Sequence, residues 1–389
     1  MNKERVAHVI TGTAVGGAEI MLFRYLRSIE KDRNKHIVVS LMPSGPVASM
    51  IRDLGVEVVD LGAGSVGQIP AAIIGLAHFF SNRKPTAVHG WMYHGCLVAT
   101  LAIKLSGCRN TGLIWAIHHS LSDPANEKRS TRAVLRGLRL LSGRADRITY
   151  CSRVSAKQHE EYGFPPSLSD FVPNAIDTDE FRPNASAHER LTAIAGIPAG
   201  RAVVGTIARS HPMKDHRSFA KTIAILAGRG IDIHGVLIGE GQPDGPAVQE
   251  AQAAGIGHRL TALPVRSDIP LLVPGLDIYL LSSAWGEALP LAVAEAMAAG
   301  VLPVVTDVGD CAWLVGDCGK VCPPNRPDLL ANSVSELLHL TEPERERLRT
   351  VSRQHIISRM AMDEYISRHE RLYRQSYKSR TMSRQRMTA

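Results

Sequence analysis

Residues 278–306 read IYLLSSAWGEALPLAVAEAMAAGVLPVVT. Ile278–Leu281 and Leu302–Thr306 are short apolar runs rich in β-formers, and Leu291–Ala299 between them is an apolar segment of helical length. A strand, a loop, a helix and a second strand form a crossover unit of a parallel sheet, whose strands are covered on both faces and so read as near-continuous apolar runs. The same alternation extends outward. Strands are expected at Val203–Ala208, Ile233–Ile238 and Leu260–Ala262, with helices at Arg217–Gly228 and Asp328–Leu338. An earlier series places strands at Val6–Ile10, His36–Leu41, Glu57–Leu61, Thr86–His89, Leu113–Ile117 and Arg147–Cys151, with helices at Ala18–Ile29 and Ile69–Phe80. A polar, proline-bearing stretch, Thr178–Ala187, separates the two. The expected fold class is therefore α/β, with two Rossmann-like, doubly wound parallel-sheet domains facing a cleft at the carboxyl ends of their strands. The division is 1–177, 178–365, and a C-terminal helix with a basic tail over 366–389.

The loops after these strands carry the chemistry. Glu287 and Glu295 flank the start of the 291–299 helix, and Pro290 sits where a first turn tolerates a missing N–H. The unpaired amides there, with the positive end of the helix dipole, suit a phosphate. Glu295, one turn inside, is placed to accept two hydroxyl hydrogen bonds from a ribose, and Glu287 to reach the sugar beyond the phosphates. Read without their surroundings, the same residues are two surface acids on a helix, Glu287 serving as an N-terminal charge.

The surroundings favour the first reading. Strand 203–208 runs into Arg209-Ser-His-Pro-Met-Lys214, two cations at a carboxyl end, as a diphosphate leaving group needs where no metal neutralises it. Strand 233–238 ends in Gly239-Glu240-Gly241, a tight turn that lets a planar base approach the backbone. After the first strand, Gly16-Gly17-Ala18-Glu19 opens a helix and allows close approach to a phosphate. This is not GxGxxG, and no acid stands at the end of the second strand, which disfavours a nicotinamide site.

Composition sets the outer bounds. The chain has 389 residues, 44% hydrophobic and 21% charged, with a formal net charge of +8, which suits a polyanionic partner such as nucleotide phosphate, an anionic membrane or nucleic acid. No apolar run reaches the length of a membrane span, and the start, MNKERVAHVI, reads as a first strand in place of a signal peptide. The expected location is the cytoplasm, with contact at the inner face of the cytoplasmic membrane. Six cysteines (Cys96, Cys108, Cys151, Cys311, Cys318, Cys322) lack CxxC spacing and read as free thiols. Arg129, Arg132, Arg136 and Arg139 recur at helical spacing, with Val134, Leu138 and Leu141 on another face. That is either a solvated helix or a face for an anionic bilayer beside a lipid-linked acceptor. Nucleic acid is disfavoured, because no aromatic platform accompanies the arginines. Arg371, Arg374, Lys378, Arg380, Arg384 and Arg386 make the end of the chain basic, and its last dozen residues read as a frayed, solvated end.

In order along the chain, Gly16-Gly17-Ala18-Glu19, Val172-Pro-Asn174-Ala-Ile-Asp177, Arg209…Lys214, Gly239-Glu240-Gly241, Glu287…Glu295 and Thr306-Asp-Val-Gly-Asp310 resemble the family-4 retaining glycosyltransferases of GT-B fold. Ile114–Ser120, with the later Ser-Ser…Gly-Glu, resembles a branch tied to bacterial surface-polysaccharide assembly. The resemblance implies that Arg209 and Lys214 hold the donor diphosphate, Glu295 the ribose and Glu287 the transferred sugar. It implies that Gly16 and Gly17 approach the phosphates, that Gly239, Glu240, Leu289, Pro290 and Leu291 complete the donor site, and that His119, beside His118, lies near the anomeric centre. Asn174 falls in the segment joining the domains. The sequence departs from the pattern at Ala288, where Gly is common, at Leu291, where Asn is frequent, and at Leu263-Pro264 before Arg266-Ser-Asp268.

The activity so implied is transfer of a sugar from a UDP- or GDP-sugar to a saccharide or lipid-linked acceptor with retention of configuration, the catalytic set being His119, Glu287, Arg209 and Lys214. No cofactor and no metal are expected. Asp177-Thr-Asp179 matches the metal-binding DxD spacing only superficially, since it falls in the joining segment. The same architecture also serves nucleotide-sugar 2-epimerases and non-catalytic nucleotide-binding scaffolds.

Overall fold

The computed structural model describes residues 5–388; the side chains from 383 onward, Arg384 and Arg386 of the basic tail among them, lie outside that description. Contacts divide the chain into two units. One comprises the chain up to Ala175 together with the chain from Met362, and the other is Ile176–Ala361. The boundaries thus fall at 175/176 and 361/362, and the closing helix clusters with the first unit.

The first unit holds seven parallel strands: β1 (Val6–Ile10), β2 (His36–Ser40), β3 (Glu57–Asp60), β4 (Ala87–Trp91), β5 (Gly112–Ile117), β6 (Arg147–Tyr150) and β7 (Ser169–Phe171). Their order is β3-β2-β1-β4-β5-β6-β7. The second holds β8 (Ala202–Ile207), β9 (Ile233–Ile238), β10 (Leu260–Leu263), β11 (Ile278–Leu281), β12 (Leu302–Thr306) and β13 (Lys320–Cys322), in the order β10-β9-β8-β11-β12-β13. Both are doubly wound sheets. The order reverses between β1 and β4 and between β8 and β11, and ligands bind such sheets at the carboxyl ends beside the reversal.

Period-2 alternation splits the central strands between two layers of core. Ala7 and Val9 of β1 pack with Leu76, Phe80 and Trp115, whereas Val6 and Ile10 pack with Met21, Leu22, Leu26 and Trp91. In the second sheet Val305 joins Met297 and Leu314, and Leu302 and Val304 join Phe219 and Leu330. Each such side chain contributes roughly 1.5–3 kcal/mol when fully buried.

A helix runs from Met362 to Thr388, and its Tyr365, Leu372 and Tyr373 are buried in the core with Val6 and Trp91. Arg380 Nε donates to Asp146 Oδ1 at 2.8 Å, and Asp146 Oδ2 accepts the Leu113 amide at 2.7 Å. Apolar spacing on one face holds this helix to the sheet.

Imidazoles also fill this core. His8 and His89 face each other in register on β1 and β4, and both are fully buried. Trp91 Nε1 donates to His8 Nδ1 at 3.2 Å, so the His8 proton sits on Nε2 and is donated to His36 Nδ1 at 2.9 Å. His89 Nδ1 lies 2.9 Å from the Tyr373 hydroxyl, and His369 Nδ1 donates to the Tyr365 carbonyl at 2.9 Å. Burial drives His36 and His369 down to about 4 and holds His8 and His89 well below the ordinary imidazole value. The neutral form wins because an imidazolium would lose its hydration there.

Candidate active site

In the second unit four loops at the carboxyl edge are tied together. After β8 the chain passes Arg209 and makes a short turn, Pro212–Lys214, capped by His211, whose Nδ1 accepts the Met213 amide at 3.3 Å. The Ser282 hydroxyl, at the end of β11, donates to the carbonyls of Lys214 (2.9 Å) and Asp215 (3.0 Å). The Ala284 amide donates to Met213 O at 2.8 Å. These bonds aim Lys214 at the β11 loop, where Nζ donates to Glu287 Oε1 at 2.6 Å. The Ser283 hydroxyl donates to the same oxygen at 2.5 Å, while its carbonyl accepts from Thr306 Oγ1 at 2.6 Å. Glu287 is buried, at 6% exposure. Among the described residues, no hydrogen bond reaches its Oε2.

The 306–310 loop closes over this group. Gly309 adopts φ +60°, and a Cβ there would stand 2.1 Å from Glu287 O, so a side chain is excluded both by conformation and by contact. The Asp310 amide donates to Ala288 O at 3.0 Å. From the other side Gly239, at φ +151°, turns the β9 loop against β8. There Ser210 N donates to Glu240 O at 2.7 Å and Gln242 Nε2 to Ala208 O at 2.7 Å.

Pro290 proves to be the N-cap of the helix Leu291–Ala298, so the amides of Leu291 and Ala292 lie in its first turn, where intrahelical partners are lacking. Leu289 and Pro290 are buried and support the turn, with Leu291 and Glu295 half-buried beyond it. Arg209 and Glu240 are exposed on the neighbouring loops. The structure therefore joins Lys214 and Glu287 directly and places Arg209, Glu240 and Glu295 on the adjoining loops and helix. Arg266 and Asp268 close on each other through two 2.8 Å bonds. Asp177 of the DxD spacing uses Oδ1 to accept the amides of Asp179 (3.1 Å) and Glu180 (2.9 Å).

In the first unit Gly16 caps the helix Gly17–Ser28. A Cβ on Gly17 would meet nothing within 4 Å, whereas one on Gly16 would fall 2.4 Å from Glu19 Oε2. Gly17 thus opens on free space and Gly16 makes room for its own helix's acid, whose carboxyl is raised by burial. Thr13 pins this loop to the next, accepting the Gly45 amide on Oγ1 (2.8 Å) and the Val47 amide on its carbonyl (3.0 Å).

The two histidines after β5 differ. His118 stacks on Trp91 at 5.2 Å and 11°, and burial, with His369 adding and Asn174 opposing, brings it to about 4. His119 is half-exposed and sets Nε2 2.8 Å from Glu127 Oε1. Gln158 steadies the loop by accepting Ser120 Oγ (2.8 Å) and the Leu121 amide (2.7 Å). Sequence reasoning passed over Ser283, Glu127 and Gln158. Glu127 follows His119 by eight residues and was the most readable of the three.

Comparison with known proteins gives the family. Residues 15–180 match the model described as Glycosyltransferase Family 4, and residues 188–355 match Glycosyl transferases group 1. Between them the two models span the chain except for its ends and a short join, and the chain belongs to the group 1, family 4 glycosyltransferases. It is 26% identical over 320 residues to EpsF of Bacillus subtilis (strain 168), named as a glycosyltransferase, covering 79% of this chain and 80% of EpsF. It is 23% identical over 245 residues to an Escherichia coli UDP-Gal:alpha-D-GlcNAc-diphosphoundecaprenol alpha-1,3-galactosyltransferase, covering 61% of this chain and 62% of that one. Among solved structures, Anabaena HepE in complex with UDP superposes with a TM-score of 0.83 at 19% identity, over 94% of this chain and 98% of that one.

Proposed function

We propose that this glycosyltransferase moves a sugar from a nucleotide diphosphate sugar, UDP- or GDP-linked, to a hydroxyl of a saccharide or lipid-linked acceptor, with retention of configuration and without a metal ion. The observation that carries this reading is the Lys214–Glu287 pair at the β8/β11 reversal, a cation and an acid brought to one point by four loops. Solved structures of Anabaena HepE hold UDP and UDP-glucose, which supports a UDP-sugar as the first donor to test.

In this mechanism Arg209 and Lys214 neutralise the departing diphosphate, the step in which negative charge grows. Glu287, held through Oε1, offers Oε2 to a hydroxyl of the transferred sugar. Glu295 accepts from the ribose, and the first-turn amides after Pro290 add their partial positive charge. The acceptor hydroxyl attacks from the face the leaving group departs, and a diphosphate oxygen takes its proton. His119, whose Nε2 meets Glu127, and Gly17 are also assigned to the reaction, as the family resemblance implies. Asp177 uses Oδ1 to accept the amides of Asp179 and Glu180, a turn-forming role for the first acid of the DxD spacing.

The relative whose acceptor carries diphosphoundecaprenol supports a lipid-linked acceptor and a place in cell-surface polysaccharide assembly. No helix among the described residues is long and apolar enough to cross a membrane. The helix Arg129–Leu141 exposes Arg129, Arg136 and Arg139 beside Leu140, which is 86% exposed, and this face is the one we assign to an anionic bilayer. Incubation with UDP-glucose, UDP-galactose, UDP-N-acetylglucosamine and GDP-mannose tests the donor assignment by calorimetry. Absence of binding to all four, and to UDP and GDP, would overturn it.

A further inference from the structure

Of the four tryptophans, Trp91 and Trp115 are fully buried and Trp313 is half-buried beneath the Arg359 guanidinium, 5.3 Å from the ring. Trp285 is different: it is 52% exposed. A lone exposed apolar side chain is ordinary on a protein surface, but this one has an unusual position. It lies between Ser283 and Glu287, in the loop that delivers the acid to Lys214.

The loop holds Trp285 from both sides. On one, Ala284 N is bonded to Met213 O. On the other, Gly286 adopts φ +78°, and a Cβ there would meet Met213 Sδ at 2.8 Å. The turn sends Glu287 inward, to 6% exposure, and leaves the indole outside. Its N–H makes no hydrogen bond with a described residue, although a tryptophan N–H generally finds a partner when it is buried. His211 and Arg209, on the β8 loop to which Ala284 is bonded, are also exposed. A large flat apolar ring with a free donor at its edge, fixed two residues from a sugar-binding acid, matches the face of a pyranose. The ring covers the C–H surface while its N–H reaches a hydroxyl.

We infer that Trp285 is a positioning residue for the acceptor, stacking on a pyranose ring of the saccharide that receives the sugar. This rests on the donor reading above, in which Glu287 faces the transferred sugar, so the acceptor ring must approach the same point from the solvent side. It makes acceptor choice a property of the β11 loop of the second unit.

The test uses the full chain saturated with UDP and the methyl glycosides of glucose, galactose, mannose and N-acetylglucosamine as probes. Each is titrated by saturation-transfer NMR into wild type, Trp285→Ala and Trp285→Phe. UDP affinity, measured by calorimetry, is the control for a folded donor site and is expected to agree among the three. At least one glycoside should bind the wild type, bind Trp285→Ala at least about tenfold more weakly, and bind Trp285→Phe with intermediate or full affinity. If UDP itself fails to bind the wild type, the donor reading falls. If UDP binds and the glycosides bind all three proteins equally, or bind none of them, the assignment of Trp285 is overturned while the donor reading stands.

Discussion

Acidification should unfold the first unit well before the bulk of its carboxylates titrate. His8, His36, His89, His118, His159 and His369 all have folded values depressed by burial, four of them to about 4. Unfolded, each returns to roughly 6.5. The unfolded state therefore binds more protons than the folded one between those values, and stability falls as pH drops through that window. Each histidine contributes a slope of about 1.4 kcal/mol per pH unit, so six give about 8 kcal/mol per unit if none ionises in place. From pH 7 to 5 the integrated loss approaches ~10 kcal/mol, as large as the whole stability of many domains. Glu19 and Asp146, whose carboxyls are raised by burial, act in the opposite sense, two groups against these six and His94, which burial also lowers. These imidazoles perturb one another, so charging the first relaxes its neighbours and the expected loss is several kcal/mol, on the order of the linkage sum but below it. Urea titrations at pH 7 and 5, followed by hydrogen exchange of peptides containing β1 and β4, read this unit separately. A loss below about 2 kcal/mol would refute the reasoning, because it would mean that these imidazoles are hydrated or already charged in the folded protein.

Four further outcomes are expected. Glu295→Ala should weaken UDP binding by about 1.5–3 kcal/mol, whereas Glu287→Ala should mainly slow transfer; calorimetry showing unchanged affinity for Glu295→Ala rejects the ribose role. Gly309→Ala, which places a methyl against Glu287 O, should lower the melting temperature and abolish transfer, and a wild-type thermogram with normal turnover would contradict the packing described. EDTA should leave UDP binding and transfer intact; loss of both would reject the metal-free mechanism. Replacing Arg129, Arg132, Arg136 and Arg139 together by glutamine should remove binding to anionic liposomes at low salt, at roughly 1 kcal/mol per residue. Wild type that stays in the supernatant on co-sedimentation at low ionic strength would show this helix to be merely solvated.

The sheets were legible because their central strands are buried on both faces and read as apolar runs. The structure adds β7 and β13, three residues each, which are too short to show a period. Ser169-Asp170-Phe171 is half-buried throughout, and an edge strand of that kind has no hydrophobic signature. At the site, glycines and charged residues on the loops announced themselves, and Lys214 and Glu287 do meet. Ser283 did not, because a serine that bonds a carboxylate is spelled like any turn serine. The packing of the closing helix was hidden in the sequence for a related reason. Counting charge along Arg371–Arg386 ignores Leu372, Tyr373 and Ser376, the spacing that buries one face. Histidine in a core strand gives no sequence warning either; only the partners, His36 and Trp91 for His8, make it affordable there.

Because Met362–Thr388 clusters with the sheet that begins at Val6, the first unit cannot take its final cover until the second has been synthesised. The first 175 residues leave the ribosome with Val6 and Trp91 lacking the cover of Tyr365 and Tyr373. They wait while the second unit, uninterrupted from Ile176 to Ala361, is made and can close by itself. At synthesis rates of 5–20 residues per second that interval lasts roughly 10–40 s. During it the nascent first unit exposes apolar and imidazole surface, a natural client for a chaperone. A stop codon after Ala361 would complete the second unit and strand the first.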